Sequence, residues 1–458
     1  MSVVTHQRSF DCGRYLIAST MMGHGTCHFL ATMKLTASIT ALAIAAFSPA
    51  QAFVGKSLSS TIQHHQLLSA TPKHDADKDQ EGAGESRRDF VQKVATGVPA
   101  AVIAASTMGL SRPEPAVAAQ AVSAAAVAKS SSLVLPPMGL GAWAWGDSLF
   151  WGYDAKNDEE LRKVFDYAVE QSKSKTTFFD TAELYGLGRS EKLIGEFSKK
   201  YDQDKIQVAT KFAAFPPRSK PQDVVKACEK SLQRLGRPID LYQIHFPAPW
   251  CNEEFWDGLA TAYENGLVKA VGVSNYGADA TRACHAALAK RGVPLASNQI
   301  QLSLLYRYPL ENSLMETCEE LGVQVLSYSP LALGMLTGKY TLDEPPKGPR
   351  KGLFKALKST PDYDNLLAAM KDVASGHKDA TLSQVALNWT RAKNSIPIPG
   401  ARTLSQVQQN FGALDWNLSA SEVKALDQAA AKVTTFSKPE DVPFPKEDRN
   451  THLKLFDS

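Results

Sequence analysis

FFDTAELYG, residues 178–186, is the stretch on which the reading of this chain turns. Phe178 and Phe179 read as the buried end of a strand, and Asp180 stands where that strand runs out into a loop. Glu183–Gly186 then carries Tyr185 onto the next segment. An acid and a tyrosine at the C-terminal edge of a strand are placed for chemistry if the fold is a barrel of parallel strands.

Two more polar groups fall at equivalent edges. Lys211, in ATKF, follows Asp180 by 31 residues, and His245, in YQIHF, follows Lys211 by 34. One strand, one helix and two loops take about 30 residues, so each group ends a successive strand. In this order and spacing, Asp180, Tyr185, Lys211 and His245 resemble the catalytic tetrad of the aldo-keto reductase family. The similarity continues through GVSNY (272–276), SNQIQLSLLYR (297–307), SYSPLALGMLTGKY (327–340) and IPIPGARTLSQVQQNFGAL (396–414). It runs from Leu133 to Val433, and GLGAWAWGDSLFWGY (139–153) and PLASNQ (294–299) are most similar to plastid members from plants and algae.

The 458 residues divide into a leader (1–130), an α/β domain that reads as a (β/α)8 TIM barrel (131–435) and a polar tail (436–458). Apolar content of 44% and charged content of 21% are those of a soluble globular protein. A net charge of +3 without a basic stripe argues against nucleic acid as a partner. The six cysteines, at 12, 27, 228, 251, 284 and 318, form no C-x-x-C pair and no zinc spacing with histidine, so no metal site is expected. They read as buried thiols, with a regulatory disulfide among the last four left open.

The leader carries two signals. From Met33, a lysine, an apolar run (Leu35–Phe47) and SPAQA before Phe53 make a secretory signal whose run is too short to span a bilayer. With FVGKSLSS after it, this resembles the bipartite plastid presequences of algae. Farther on, Arg87-Arg88, the acid-free stretch Val94–Leu110 and Ala116-Val117-Ala118 read either as a twin-arginine thylakoid signal or as more transit peptide. The expectation is a plastid protein, in stroma or lumen, with no membrane span in the mature chain.

The barrel pattern runs in order. Leu133–Trp145 reads as an opening hairpin and first strand, followed by a helix over Asp158–Ser172 and strand two at Thr177–Asp180. Strands three to five are Ile206–Lys211, Asp240–His245 and Val271–Ser274, with helices at Arg189–Lys199, Gln222–Leu235 and Phe255–Glu264. Strands six and seven lie near Ala296–Gln299 and Gln324–Tyr328. The gap to strand eight, Ile396–Ile398, is too long for one helix. Its first part, Leu331–Leu353, reads as a loop laid across a cofactor, ahead of helices at Pro361–Ser375 and Leu382–Arg391. Helices at Val407–Leu414 and Glu422–Val433 finish the ring.

Carbonyl reduction needs a hydride at carbon and a proton at oxygen. Tyrosine, with an ordinary pKa of about 10, donates well when a nearby cation favours its phenolate. The resemblance gives that role to Lys211 beside Tyr185, with Asp180 keeping the lysine charged and His245 orienting the substrate oxygen. No G-x-G-x-x-G opens a strand–helix unit, so the barrel loops must hold the dinucleotide. The resemblance places the cofactor against Gly141, Ala142 and Trp143. It assigns the nicotinamide amide to Ser274, Asn275 and Gln299, ring stacking to Tyr328, and the pyrophosphate to Ser329, Leu331 and Gly334. Gly400, Ala401, Arg402, Gln406 and Asn410 lie at the start of a helix able to take a phosphate. Arg402 is the main cation there for the 2′-phosphate of NADPH, which favours NADPH over NADH.

The leading expectation is a monomeric NADPH-dependent reductase of small aldehydes or ketones. The alternatives are a cofactor-binding regulatory subunit of the same fold, and a pyridoxal reductase. Specificity is expected from loops at Trp145–Tyr153 and Phe246–Trp250 and from the tail; Trp145, Trp151 and Tyr153 read equally as shaping the mouth or as packing residues.

Overall fold

The computed structural model describes residues 133–435 other than Pro349. The leader and tail assignments lie outside these residues. Eight parallel strands run in the order β1 to β8: Gly139–Gly141, Thr177–Asp180, Ile206–Phe212, Leu241–Ile244, Val271–Ser274, Leu295–Gln301, Gln324–Tyr328 and Ile396–Pro397. A parallel bridge between Gly141 and Gly400 brings the last strand back to the first, with Gly141 N–H donating to the Pro399 carbonyl at 3.0 Å. The chain is therefore the expected TIM barrel.

Alternation along each strand divides two cores. Phe178 points into the barrel with Ala209, Leu241, Leu326 and Ile398. Its neighbour Phe179 points out and stacks on Phe165 at 4.4 Å, on helix α1 (Asp158–Glu170). The outer ring continues with α2 (Arg189–Ser198), α3 (Pro221–Leu235), α4 (Asn252–Glu264), α5 (Ala278–Ala289), α6 (Tyr308–Glu311) and α7 (Leu314–Glu320). It ends with α8 (Arg350–Leu357), α9 (Asp362–Ser375), α10 (Leu382–Ala392), α11 (Leu404–Gly412) and α12 (Ala420–Ala431).

Two expectations are corrected. Leu133–Met138 forms no hairpin: β1 is three residues long and the chain before it is irregular. The segment after β7 is not loop throughout. It opens with a kinked 3-10 turn over Ala332–Thr337 and closes with α8, whose Phe354 and Leu357 are buried. These side chains join Leu336, Met370 and Trp389 in a separate core beneath the segment. The four described cysteines, 228, 251, 284 and 318, are all buried. Burial pushes the Cys228 and Cys318 thiols up to about 12, so neither is a reactive thiolate.

Helices α2, α3 and α4 pack so closely that glycine is required between them. A Cβ on Gly195 of α2 would stand 2.2 Å from the Leu235 carbonyl oxygen, a backbone atom that cannot yield. Alanine would gain about 1 kcal/mol in helix propensity, but overpacking costs about 1–3 kcal/mol. Gly195→Ala is therefore expected to destabilise the barrel, read as a lower urea midpoint with an unchanged m-value.

Candidate active site

The strand ends bring the predicted tetrad together. Lys211 Nζ, on β3, is fully buried and donates to Asp180 Oδ2, the last residue of β2, at 2.6 Å. It also donates to the Thr181 carbonyl at 2.9 Å and stands 3.5 Å from the Tyr185 hydroxyl. The other Asp180 oxygen accepts from Gln299 Nε2 of β6 at 2.7 Å. His245, just past β4, lies edge-on to Tyr185 with ring centroids 5.7 Å apart and stacks on Phe246 at 4.2 Å.

The turn that carries Tyr185 is locally determined. Gly186 has φ +56°, and a Cβ there would lie 2.3 Å from the Gly146 carbonyl oxygen, so only glycine fits. Glu183 staples the same turn to the edge of β3. Its carboxylate accepts from the Ala213 amide at 2.7 Å and from both terminal nitrogens of Arg218.

Electrostatics set the protonation states. Burial, and then the charges of Asp180 and Asp147, push the Tyr185 phenol well above 10.0. Burial lowers Lys211 despite the opposing pull of Asp180. Burial also drives His245 well below 6.5, helped by the Lys211 charge. The sequence reading expects Lys211 to lower the tyrosine pKa. Burial, with the charges of Asp180 and Asp147, raises it instead, and Tyr185 is held as a neutral phenol with a proton to give. His245 is a neutral imidazole whose Nδ1 is buried with no hydrogen-bond partner among the described residues.

Tyr185 and His245 face a cavity of about 980 Å³. Of the predicted cofactor residues, Gly141, Trp143, Ser274, Asn275, Gln299, Tyr328, Ser329, Leu331, Gly334, Gly400, Arg402, Gln406 and Asn410 line it. Ala142 and Ala401 do not. Ala142 is buried behind the wall with its carbonyl bonded to Ser190 Oγ, and the Ala401 carbonyl accepts from Trp145 Nε1 at 2.8 Å.

The polar residues form a connected set. Ser274 Oγ donates to the Gln299 carbonyl at 2.8 Å, and Tyr328 hydroxyl donates to Asn275 Oδ1 at 2.8 Å. Asn275 is left-handed at φ 63°, as are Ser329, Ala332 and Leu333 (φ 50°, 47° and 57°). Asn275, Ser329 and Leu333 line the cavity, and backbone of this kind persists only where the surrounding structure holds it. The start of α11 is less open to phosphate than its sequence suggests. Leu404 N–H already donates to Glu160 Oε1 at 2.9 Å, and Gln406 Oε1 accepts from the Arg402 amide at 2.8 Å.

The sequence reading missed Arg350. Arg350 lines the cavity along with Arg402 and Lys339, where the sequence reading expects Arg402 as the main cation. A basic residue in the segment read as covering the cofactor was the only available signal. The aromatic mouth is also redistributed. Trp145 is fully buried against Phe179 and Phe197, and Tyr153 hydroxyl donates to Asp158. Neither lines the cavity; Trp143, Phe150 and Trp151 form that wall, with Phe215 and Phe246 also lining the cavity. Hydroxyl and amide groups beside Tyr185, cations among the lining residues, and a volume at the upper end of the range for ligand pockets fit a nicotinamide dinucleotide and a small substrate.

Comparison with known proteins agrees with this geometry. The family model described as "Aldo/keto reductase family" matches residues 137–431. A protein named "Pyridoxal reductase, chloroplastic" from Arabidopsis thaliana is 43% identical over 316 residues, covering 66% of this chain and 85% of that protein. The glycerol dehydrogenase of Gluconobacter oxydans has a structure that superposes with a TM-score of 0.56 at 27% identity, covering 69% of this chain and 96% of that one. An aldo-keto reductase from Klebsiella pneumoniae, crystallised with NADPH, shares the fold at a TM-score of 0.51 and 23% identity, over 70% and 95% of the two chains.

A buried neutral histidine makes stability depend on pH. Between its depressed folded pKa and 6.5, the unfolded chain binds more protons at His245 than the folded chain does. Stability is therefore full above 6.5 and falls as pH drops, by at most about 1.4 kcal/mol per unit from this group. His245→Gln is expected to flatten the acid limb, measured as the difference in denaturation free energy between neutral and mildly acid pH.

Proposed function

This chain belongs to the aldo/keto reductase family, and on that footing we propose that it reduces the carbonyl of a small aldehyde or ketone with NADPH. The observation that carries the reading is the phenol of Tyr185 lining a cavity, 3.5 Å from an ammonium that is itself paired with Asp180. The dinucleotide, when bound, supplies the hydride. Tyr185 gives its proton to the substrate oxygen, and Lys211 stabilises the phenolate left behind. Neutral His245 has a ring nitrogen free to donate to that same oxygen and so to orient the carbonyl. Asp180 holds the lysine, and Gln299 holds Asp180.

Ser274, Asn275, Gln299 and Tyr328 would hold the nicotinamide end. Arg402 and Arg350 would hold the 2′-phosphate, which favours NADPH over NADH. The aromatic wall suits a planar aldehyde, and pyridoxal is the planar aldehyde that the name of the Arabidopsis relative suggests. The chloroplastic name of that relative and the leader pattern favour a plastid location.

Tyr185→Phe is expected to lower NADPH-dependent pyridoxal turnover by at least about 10²-fold while NADPH still quenches tryptophan fluorescence. Unchanged turnover would remove Tyr185 as the donor, and absence of turnover in the parent protein would favour a binding subunit. Arg402→Ala is expected to weaken NADPH binding by about tenfold or more, as loss of a charged hydrogen bond does, and to leave NADH binding nearly unchanged. Calorimetry with both cofactors checks it.

A further inference from the structure

The loop after β1 sets an acid beside the tyrosine. Gly146 lies against the turn that carries Tyr185, since a Cβ on Gly186 would stand 2.3 Å from the Gly146 carbonyl oxygen. Asp147 comes next and lines the same cavity as Tyr185 and His245. Its Oδ1 accepts from the Leu149 amide at 2.9 Å and the Phe150 amide at 3.0 Å, and its carbonyl accepts from the Tyr153 amide at 3.0 Å. A side-chain turn of this kind, which aspartate favours, fixes where the carboxylate stands.

That carboxylate keeps its charge uncompensated. Among the described residues no lysine or arginine pairs with it. Arg189, which packs against Gly146, is taken by Asp158 and the Tyr153 hydroxyl. The other acid lining the cavity, Asp180, is neutralised by Lys211. The lining cations, Lys339, Arg350 and Arg402, come from the segments after β7 and β8. An aromatic row separates the two arginines from the tyrosine. Trp143 lies 6.3 Å from Tyr185 and stacks on Phe150 at 5.1 Å, and Phe150 meets Trp151 at 5.1 Å. Only beyond that indole do the guanidiniums of Arg350 and Arg402 stand, at 5.0 and 5.6 Å from its ring. The cavity is thus polarised, positive past the aromatic row and negative next to the phenol. The phenol registers this, because burial, Asp180 and then Asp147 all raise its pKa.

A substrate whose carbonyl reaches Tyr185 has the rest of its body within the field of Asp147. Like charges in such a cleft repel more strongly than in water, and specificity is often gained by repelling the wrong ligand. Leu149 and Leu187, 79% and 69% exposed, line the same cavity and offer an apolar body contact without offering an anion a partner. We propose that Asp147 is a specificity-determining residue: it admits neutral and cationic aldehydes to the tyrosine and turns away those that carry an anionic group. The inference rests on the reductase reading, which supplies the carbonyl at Tyr185, and the test separates the two.

The test compares three para-substituted benzaldehydes with NADPH and the full chain: 4-formylbenzoate, its methyl ester and 4-(trimethylammonio)benzaldehyde. The parent protein is expected to show a kcat/KM for the ester about tenfold or more above that for the carboxylate, expressed in KM. It is expected to take the ammonium compound at least as well as the ester. Asp147→Asn, which keeps the oxygen that caps Leu149 and Phe150, is expected to erase the difference between carboxylate and ester. Asp147→Glu, which keeps the charge, is expected to retain it. Comparing substrates within each protein cancels whatever a substitution does to Tyr185. Calorimetric binding of the three corresponding benzyl alcohols, with NADP+ present, gives a readout that needs no turnover. A carboxylate penalty unchanged in Asp147→Asn, or absent from the parent, would overturn the inference alone. Binding ranked by charge without turnover would overturn the reductase reading and support the inference. If no aldehyde turned over and no alcohol bound, both would fall.

Discussion

The pairing of Lys211 with Asp180 is the constraint to which the mouth of this barrel is built. An ammonium and a carboxylate, 0% and 3% exposed, have both surrendered their water. Desolvation on that scale is repaid only when the remaining donors and acceptors are met. Here the Thr181 carbonyl and the Gln299 amide meet them, so one ion pair ties the ends of β2, β3 and β6 into a single polar network. Breaking such a pair one-sidedly costs about 3–5 kcal/mol, whereas an apolar replacement of both members is often neutral. Stability alone therefore does not explain the pair. Its geometry does, because the same ammonium reaches the phenol of Tyr185.

The tyrosine is held from three sides. Lys211 stands behind its hydroxyl, Gly146 presses against Gly186 beneath it, and Glu183 anchors the turn to Ala213 and Arg218. The opposite rim obtains rigidity differently. Ser329, Ala332 and Leu333 occupy a backbone region that L-residues avoid, at about 1–3 kcal/mol each. The buried core of Met335, Leu336, Phe354 and Trp389 beneath that rim offsets the strain. Both rims are thus fixed by packing outside the cavity, which leaves the polar groups within it available to ligand.

How far the sequence could be read follows from what positions each residue. Asp180, Lys211, His245, Ser274 and Tyr328 lie at or next to the ends of strands whose apolar patterns are legible, and topology brings strand ends together whatever the side-chain details. Residues placed by loops were read less well. Trp145 and Trp151 look alike in sequence, yet one fills the core with Phe179 and the other stands between two arginines. The start of α11 looks open to phosphate in sequence, yet Gln406 and, reaching across from α1, Glu160 take backbone N–H groups there. Arg350 has no periodic neighbours to place it, since α8 is short and follows an irregular segment. The short β1 defeated the hairpin reading because three residues carry no measurable alternation.

The corner formed by Trp151, Arg350 and Arg402 is the least economical part of the fold, and that is informative. A buried donor without an acceptor costs about 1–3 kcal/mol, and among the described residues this corner holds two, Arg350 Nε and Trp151 Nε1. It adds two guanidiniums near one ring, with no carboxylate bonded to either among the described residues. Chains under no functional demand lose such arrangements easily, since most replacements would relieve them. Groups left unmet in a folded interior are ordinarily completed by something outside the chain. The cavity and the cationic corner suit the phosphate of the proposed cofactor.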